Sequence, residues 1–181
     1  MKLWLIRHAQ PLVAAGTCYG SCDVAADANA TAQAAKALAT ELPQGLALRC
    51  SPLQRCEQQS TYLRGLRPDL TSFSDPRLAE MDFGAWEGRR WDAIAPAELA
   101  AWTAGFWDYR PGGGESVAMF MARVALAFDE TRQRDRDCAW ITHAGVIRAV
   151  TLLAAGTRQV RDAAQWPIEA PGFGDWTILE L

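Results

Sequence analysis

Leu3-Trp4-Leu5-Ile6-Arg7-His8-Ala9-Gln10 reads as a strand that ends in chemistry. A short apolar run bounded by polar residues predicts a buried strand of a parallel sheet. Arg7 and His8 then fall at its carboxyl end, where open α/β sheets bind ligands. The chain has only two histidines, and the second repeats the pattern. Cys138-Ala139-Trp140-Ile141-Thr142 predicts another buried strand, followed directly by His143-Ala144-Gly145. A lone histidine is often just a core residue. Two at matching strand ends make a functional pair an equally good reading, and their neighbours decide it.

Working outward, residues 9–26 form a loop of small residues. It starts beside His8 and either lines a site or merely connects. Asp27 is placed to cap a helix over 28–41. Its apolar face is read from Ala30, Ala34, Leu38 and Leu42. Leu46-Ala47-Leu48-Arg49-Cys50 predicts a second strand. Ser51-Pro52-Leu53-Gln54 follows with the marks of a helix start: Ser51 as N-cap, Pro52 in the first turn, Gln54 closing a capping box. A helix start at a strand's carboxyl end favours an anion. Arg55 lies in its first turn and either meets that anion or is one more solvated charge.

Residues 71–75 predict a third strand, ended by Pro76. Arg77 to Gly88 reads as a loop whose acids, Glu80, Asp82 and Glu87, stand among aromatics. A tryptophan-rich helical insertion is expected around 91–111, helical over 96–108, with Trp102 and Trp107 either covering a site or packing. Pro111-Gly112-Gly113-Gly114 breaks the chain before a helix over 115–134. Its Val117, Phe120, Met121, Val124 and Phe128 recur at helical spacing. The triple glycine is a weak phosphate-loop signal, because no Gly-Lys-Ser/Thr follows. A helix over 145–155, a short helix over 157–165 and a final strand at 177–179 complete the chain. Strand–helix alternation predicts a single α/β domain over 1–181, a three-layer sandwich with a mostly parallel central sheet flanked by helices.

Composition narrows the function. The 181 residues are half apolar and 22% charged, with a net charge of −3, so no basic footprint for nucleic acid is present. An anionic substrate needs a local basic pocket instead. No apolar stretch spans a bilayer and no leader precedes the first strand, so a cytoplasmic location without a membrane partner is expected. Five scattered cysteines fit neither a disulfide framework nor a zinc site.

The strand ends gather Arg7, His8, Arg55, His143 and a carboxylate from the 80–87 loop. Arginines bind phosphate oxygens in bidentate fashion. A neutral histidine is a competent nucleophile, and a carboxyl group can protonate a leaving alcohol and then activate water. Together these groups predict phosphoryl transfer through histidine without metal or cofactor. Arg7 beside His8 would repel a cation.

These residues resemble the histidine phosphatase superfamily, the phosphoglycerate-mutase-like fold. Arg7-His8-Ala9-Gln10 is similar to its Arg-His-Gly-Glu/Thr signature. Asp23 to Asp27 with Gln33-Ala34 is similar to Asp-x-Pro-Leu-Thr…Gln-Ala, and Ser51 to Arg55 to Ser-x-Leu-x-Arg, with Ser60 where Thr is usual. Leu78 to Gly88 resembles Leu-x-Glu…Gly-x-Trp-Glu-Gly, Gly113 to Ser116 resembles Gly-Gly-Glu-Ser, and Thr142 to Arg148 the second histidine motif. The resemblance implies His8 as nucleophile, Arg7, Arg55 and His143 as phosphate ligands that also stabilise transferred charge, and Glu80 as acid/base; the other acids of its loop, Asp82 and Glu87, are the next candidates for that role. Ala9 and Ala144 each replace a glycine, Gln10 replaces an acid or Thr, and Ala14 replaces a phosphate-binding Asn of many relatives. Gln10 and Tyr19 are expected among the substrate-binding residues.

The chain lacks the long insertions of mutases, so a phosphatase is expected over a mutase. Gly16-Thr17-Cys18-Tyr19-Gly20-Ser21-Cys22-Asp23 is similar to a loop of bacterial α-ribazole phosphatases of cobalamin nucleotide-loop assembly. That resemblance implies α-ribazole 5′-phosphate as substrate. The alternatives are a broad small-molecule phosphatase, a non-catalytic phosphate-binding module and, least favoured, a thiol redox sensor.

Overall fold

The computed structural model describes all residues, 1–181. Strands β1 (Lys2–Arg7), β2 (Ala47–Cys50), β3 (Thr71–Ser74), β4 (Cys138–Thr142) and β5 (Trp176–Glu180) form one sheet in the order β3-β2-β4-β1-β5. β1 to β4 run parallel and β5 returns antiparallel against β1. β1 and β4 lie side by side at the centre, with Arg7 level with Thr142. Their register alone brings His8 and His143 together. The apolar runs are continuous because both faces of these strands are covered. Leu3, Leu5 and Trp140 face one core cluster, while Trp4, Ile6, Ala139 and Ile141 face the other.

Helices α1 (Ala28–Glu41), α2 (Gln54–Leu66), α3 (Pro96–Ala104), α4 (Val117–Arg134) and α5 (Ala144–Ala154) supply the outer layers. α1 and α2 cover the second face with Ala35, Leu38, Cys56 and Leu63. α4 and α5 cover the first with Phe120, Val124, Phe128, Val146 and Val150. The result is the expected three-layer sandwich, and no helix is long and apolar enough to cross a membrane.

Four local expectations need correction. Asp27 caps α1 through the Ala30 amide, at 2.8 Å, but the buried stripe is Thr31, Ala35, Leu38 and Leu42. Ala30 and Ala34 flank it, since true helical spacing mixes steps of three and four. α2 begins at Gln54 with Leu53 as its cap residue and no local side-chain cap. Its first amide instead donates to Asp23, at 2.6 Å. The 96–108 helix stops at Ala104. Residues 157–162 are irregular, and only Ala163–Gln165 makes a one-turn 3₁₀ helix, closed by a capping box from Asp162 and Gln165.

The triple glycine serves backbone contact rather than phosphate. A Cβ on Gly112 would collide with the Phe83 carbonyl, and one on Gly114 with the Asp82 carbonyl. Gly112 also sits at φ +58°. The Glu115 amide then donates to Asp82 O at 2.7 Å. Loop 82–86, just beyond Glu80, is thereby fastened to the start of α4.

Candidate active site

His8 follows β1 and is only 2% exposed. Its Nδ1 lies 2.7 Å from the Ala9 carbonyl. A carbonyl only accepts, so Nδ1 carries the hydrogen and Nε2 keeps a free lone pair. Burial, with the charges of Arg55 and Arg7, lowers the His8 pKa to about 3. The ring is therefore neutral at physiological pH. His143 lies with its ring centroid 5.1 Å from that of His8 and is fully buried. Burial first, then Arg55 and His8, pushes its pKa well down. Ser51 Oγ meets His143 Nε2 at 2.8 Å. The serine expected to cap α2 thus holds the second histidine, while its Oγ takes the Leu53 amide at 3.3 Å rather than an amide inside the helix.

Arg55 is wholly buried, so it is not a solvated charge. Its Nη1 and Nη2 donate to the carbonyls of Cys22 and Gly20, at 2.7 and 2.6 Å. Its guanidinium lies 5.1 Å from the centre of the Tyr19 ring. Arg7 donates to Pro171 O at 2.9 Å and stacks 3.8 Å from the Phe173 ring centre. Phe173 also stands 5.5 Å from the His8 ring. Three buried polar atoms in this group find no partner: Arg7 Nε, Arg55 Nε and His143 Nδ1. Arg7 Nε and Arg55 Nε are N–H donors, and a buried donor left unpaired is costly.

Glu80 is half-buried and near enough to Arg7 for its charge to act there. Its Oε2 accepts from the Gly145 amide at 3.0 Å and its Oε1 from the Met81 amide at 3.1 Å. Gly145 lies in the first turn of α5, where a carboxylate is favoured by the helix dipole. Arg123 fixes the backbone beneath, donating to Arg77 O, Ala79 O and Glu80 O. Glu115 holds Arg123 at 2.7 Å. The other acids of the loop are occupied differently. Glu87 Oε1 accepts from the Ser21 and Phe83 amides, at 2.7 and 3.0 Å, and so ties two loops together. Asp82 is exposed and takes the Gly84 amide at 2.7 Å.

Of the residues singled out in the sequence, the structure gathers Arg7, His8, Arg55, His143, Tyr19 and Glu80. Gln10 is exposed, and its amide reaches only the Pro11 carbonyl. Ser51, Arg123, Gly145 and Phe173 belong to the arrangement and were not singled out for it. Gly145 and Ser51 sat inside recognised motifs. Phe173 lies in a stretch with no periodic pattern. No group of three or more His, Cys, Asp or Glu side chains is spaced to hold a metal ion. The five cysteines are free thiols. Burial raises Cys18 and Cys50 to about 12 and Cys22 and Cys138 to about 11, with Cys56 also well above its ordinary value. They remain protonated at neutral pH.

Residues 3–177 match the family model described as the histidine phosphatase superfamily, branch 1. No curated protein matches significantly. Among solved structures, the native mycobacterial glucosyl-3-phosphoglycerate phosphatase is 25% identical at a TM-score of 0.78, covering 98% of this chain and 88% of that one. A protein of Thermus thermophilus is 29% identical at a TM-score of 0.73, covering 99% of this chain and 94% of that one. The α-ribazole phosphatase of Shigella flexneri shares the fold at a TM-score of 0.80 and 22% identity, covering 100% of this chain and 91% of that one.

Proposed function

The chain belongs to the histidine phosphatase superfamily, branch 1, and from that premise we propose that it is a metal-independent phosphomonoesterase working through a phosphohistidine. The observation that carries this reading is the fixed tautomer of His8. Its Nδ1–H is committed to Ala9 O, and its free Nε2 stands among two arginines and a second histidine. Nε2 attacks phosphorus and the ester oxygen departs, taking a proton from Glu80. Arg7, Arg55 and His143 bind the equatorial oxygens and stabilise the charge that develops there. Glu80 then takes a proton from water, whose oxygen attacks phosphorus as the bond to His8 Nε2 breaks and frees the histidine. Inorganic phosphate and the alcohol are the products. Within this class, α-ribazole 5′-phosphate is the candidate substrate, supported by the likeness of loop 16–23, where Tyr19 lies against Arg55.

The test uses p-nitrophenyl phosphate with and without EDTA, and labelled substrate quenched without acid. Turnover is expected to survive EDTA, and label is expected on histidine in the wild type and absent in His8→Ala. Activity lost to EDTA and restored by Mg²⁺ or Zn²⁺, or label retained in His8→Ala, overturns the mechanism. Comparing kcat/KM for α-ribazole 5′-phosphate, 5′-AMP and 3-phosphoglycerate checks the substrate. A win for 3-phosphoglycerate removes the ribazole assignment and leaves the chemistry standing.

A further inference from the structure

The turn Pro171-Gly172-Phe173-Gly174-Asp175 is fastened to Arg7 and His8 by main-chain bonds. Gly174 N donates to His8 O at 3.0 Å, Arg7 N to Asp175 O at 2.9 Å and Asp175 N to Gly172 O at 3.1 Å. Gly174 adopts φ +82°, and a Cβ there would meet the Ala34 Cβ at 2.9 Å, so the turn also lies close on α1. Its backbone is thus fixed without help from Phe173. That side chain is 38% exposed, too open to serve as core. Its ring nevertheless stands 3.8 Å from the Arg7 guanidinium carbon and 5.5 Å from the His8 ring. The two arginines of the site are held unequally. Arg55 gives its Nη groups to two carbonyls, and the Tyr19 ring centre is 5.1 Å away. Arg7 reaches a single carbonyl, Pro171 O, with Tyr19 as a further polar neighbour.

We propose that Phe173 is a positioning residue for phosphate capture, and that its ring face holds the Arg7 guanidinium in the orientation the phosphate needs. The inference rests on the phosphomonoesterase reading above and adds a residue that acts through Arg7 rather than on the substrate. One hydrogen bond to a carbonyl leaves a planar guanidinium able to pivot about it. The negative face of a ring at 3.8 Å attracts the cation and removes that freedom. A ring does this without occupying an N–H. The Nη hydrogens that Pro171 does not use therefore stay available to phosphate oxygens. A carboxylate in the same place would take those donors and repel the anion. The gain is larger at Arg7 than at Arg55, where two carbonyls already fix the plane and the ring is farther away.

The test compares three replacements at position 173 by kcat/KM for p-nitrophenyl phosphate and by the Kd of inorganic phosphate from calorimetry. Phe173→Leu keeps an apolar side chain and removes the ring face. It should lower kcat/KM and raise the phosphate Kd, each about tenfold, the scale of a partly desolvated cation–π contact. Phe173→Tyr keeps the face and should stay within about twofold of wild type on both measures. Pentafluorophenylalanine keeps the shape of the ring but withdraws the negative charge of its face, so it should match Phe173→Leu. Phe173→Leu within about twofold of wild type overturns the proposal. So does a fluorinated ring that behaves as wild type, or a Phe173→Tyr as impaired as Phe173→Leu. A loss confined to kcat, with the phosphate Kd unchanged, also overturns it, because Phe173 would then act on something other than Arg7. If Phe173→Leu does not fold, the fluorinated ring decides alone. If His8→Ala hydrolyses the ester as fast as wild type, the phosphohistidine reading falls, while the phosphate Kd values still decide whether Phe173 serves Arg7. A wild type that neither hydrolyses the ester nor binds phosphate overturns both.

Discussion

Gly145 decides how Glu80 is held. A Cβ at this position would collide with the Glu80 carboxylate, which the Gly145 amide also binds. Gly145→Ala is therefore expected to reproduce, in weaker form, the effect of Glu80→Gln. Removing a general acid costs roughly 10²- to 10⁴-fold when the leaving group needs a proton. Glu80→Gln should fall by that order on butyl phosphate and far less on p-nitrophenyl phosphate, whose leaving group needs little help. Equal losses on both substrates would move proton donation to Asp82, because Glu87 is engaged with Ser21 and Phe83. Of this group, the clustering of the charged and titratable residues was legible in the sequence, since such groups at strand ends have few structural uses. Those that position them were not. Ser51 looked like a cap, and its partner His143 lies 92 positions away. Nothing in the sequence set Arg123 apart from the other polar residues of α4, yet it binds three carbonyls of the 77–80 backbone. Gln10, chosen by its place in a motif, points its amide to a neighbouring carbonyl instead.

The start of α2 shows why helix limits were harder to read than helices. Ser-Pro-Leu-Gln carries every local mark of an N-terminus, but the amide of Gln54 is satisfied by Asp23, 31 positions earlier. A carboxylate from outside the helix substitutes for the local cap, neutralising the same orphan donor and favouring the same dipole. Asp23→Ala should therefore destabilise the protein by about 1 kcal/mol, as loss of a cap does. Urea unfolding reads this directly, and an unchanged midpoint would show that solvent serves the helix end equally well. The segment 157–165 failed for a related reason. Its Asp162 and Gln165 do form a capping box, but only one turn follows it. Elements with a continuous apolar face, such as β1, β4, α4 and α5, matched their expected limits within two residues, because burial on the sheet fixes them.

The architecture as a whole was legible because strand–helix alternation admits few layouts. The order of the strands was not, nor was the return of β5 against β1. Both depend on which crossovers the chain takes. A buried polar bridge also escaped notice. Arg49 of β2 reaches Asp75 at 3.3 Å and Glu130 of α4 at 2.6 Å, and Arg77 joins the same two acids. It ties the sheet to α4 on the side away from α1. The C-terminal segment is the other long-range surprise. Pro171 and Phe173 lie over Arg7, so the last part of the chain helps shape the site that the first strand begins.

The burial of two uncharged histidines at the carboxyl ends of the two central strands also governs how the protein tolerates acid. An unfolded histidine accepts a proton near pH 6.5, whereas folded His8 holds out to about 3 and folded His143 is likewise depressed. Between those limits the unfolded chain binds more protons than the native one, so stability rises with pH and is drained as pH falls through 6.5 toward 3. His8 contributes a slope of about 1.4 kcal/mol per pH unit in that window, or about 2 kcal/mol between pH 7 and pH 5, and His143 acts in the same direction. Urea unfolding at those two pH values should show the wild type losing about that much more than His8→Asn. Equal losses would mean that native His8 is already protonated at pH 5. The same burial that keeps the His8 ring neutral makes the fold itself sensitive to protons, and mild acid should undo the molecule at this pair of histidines.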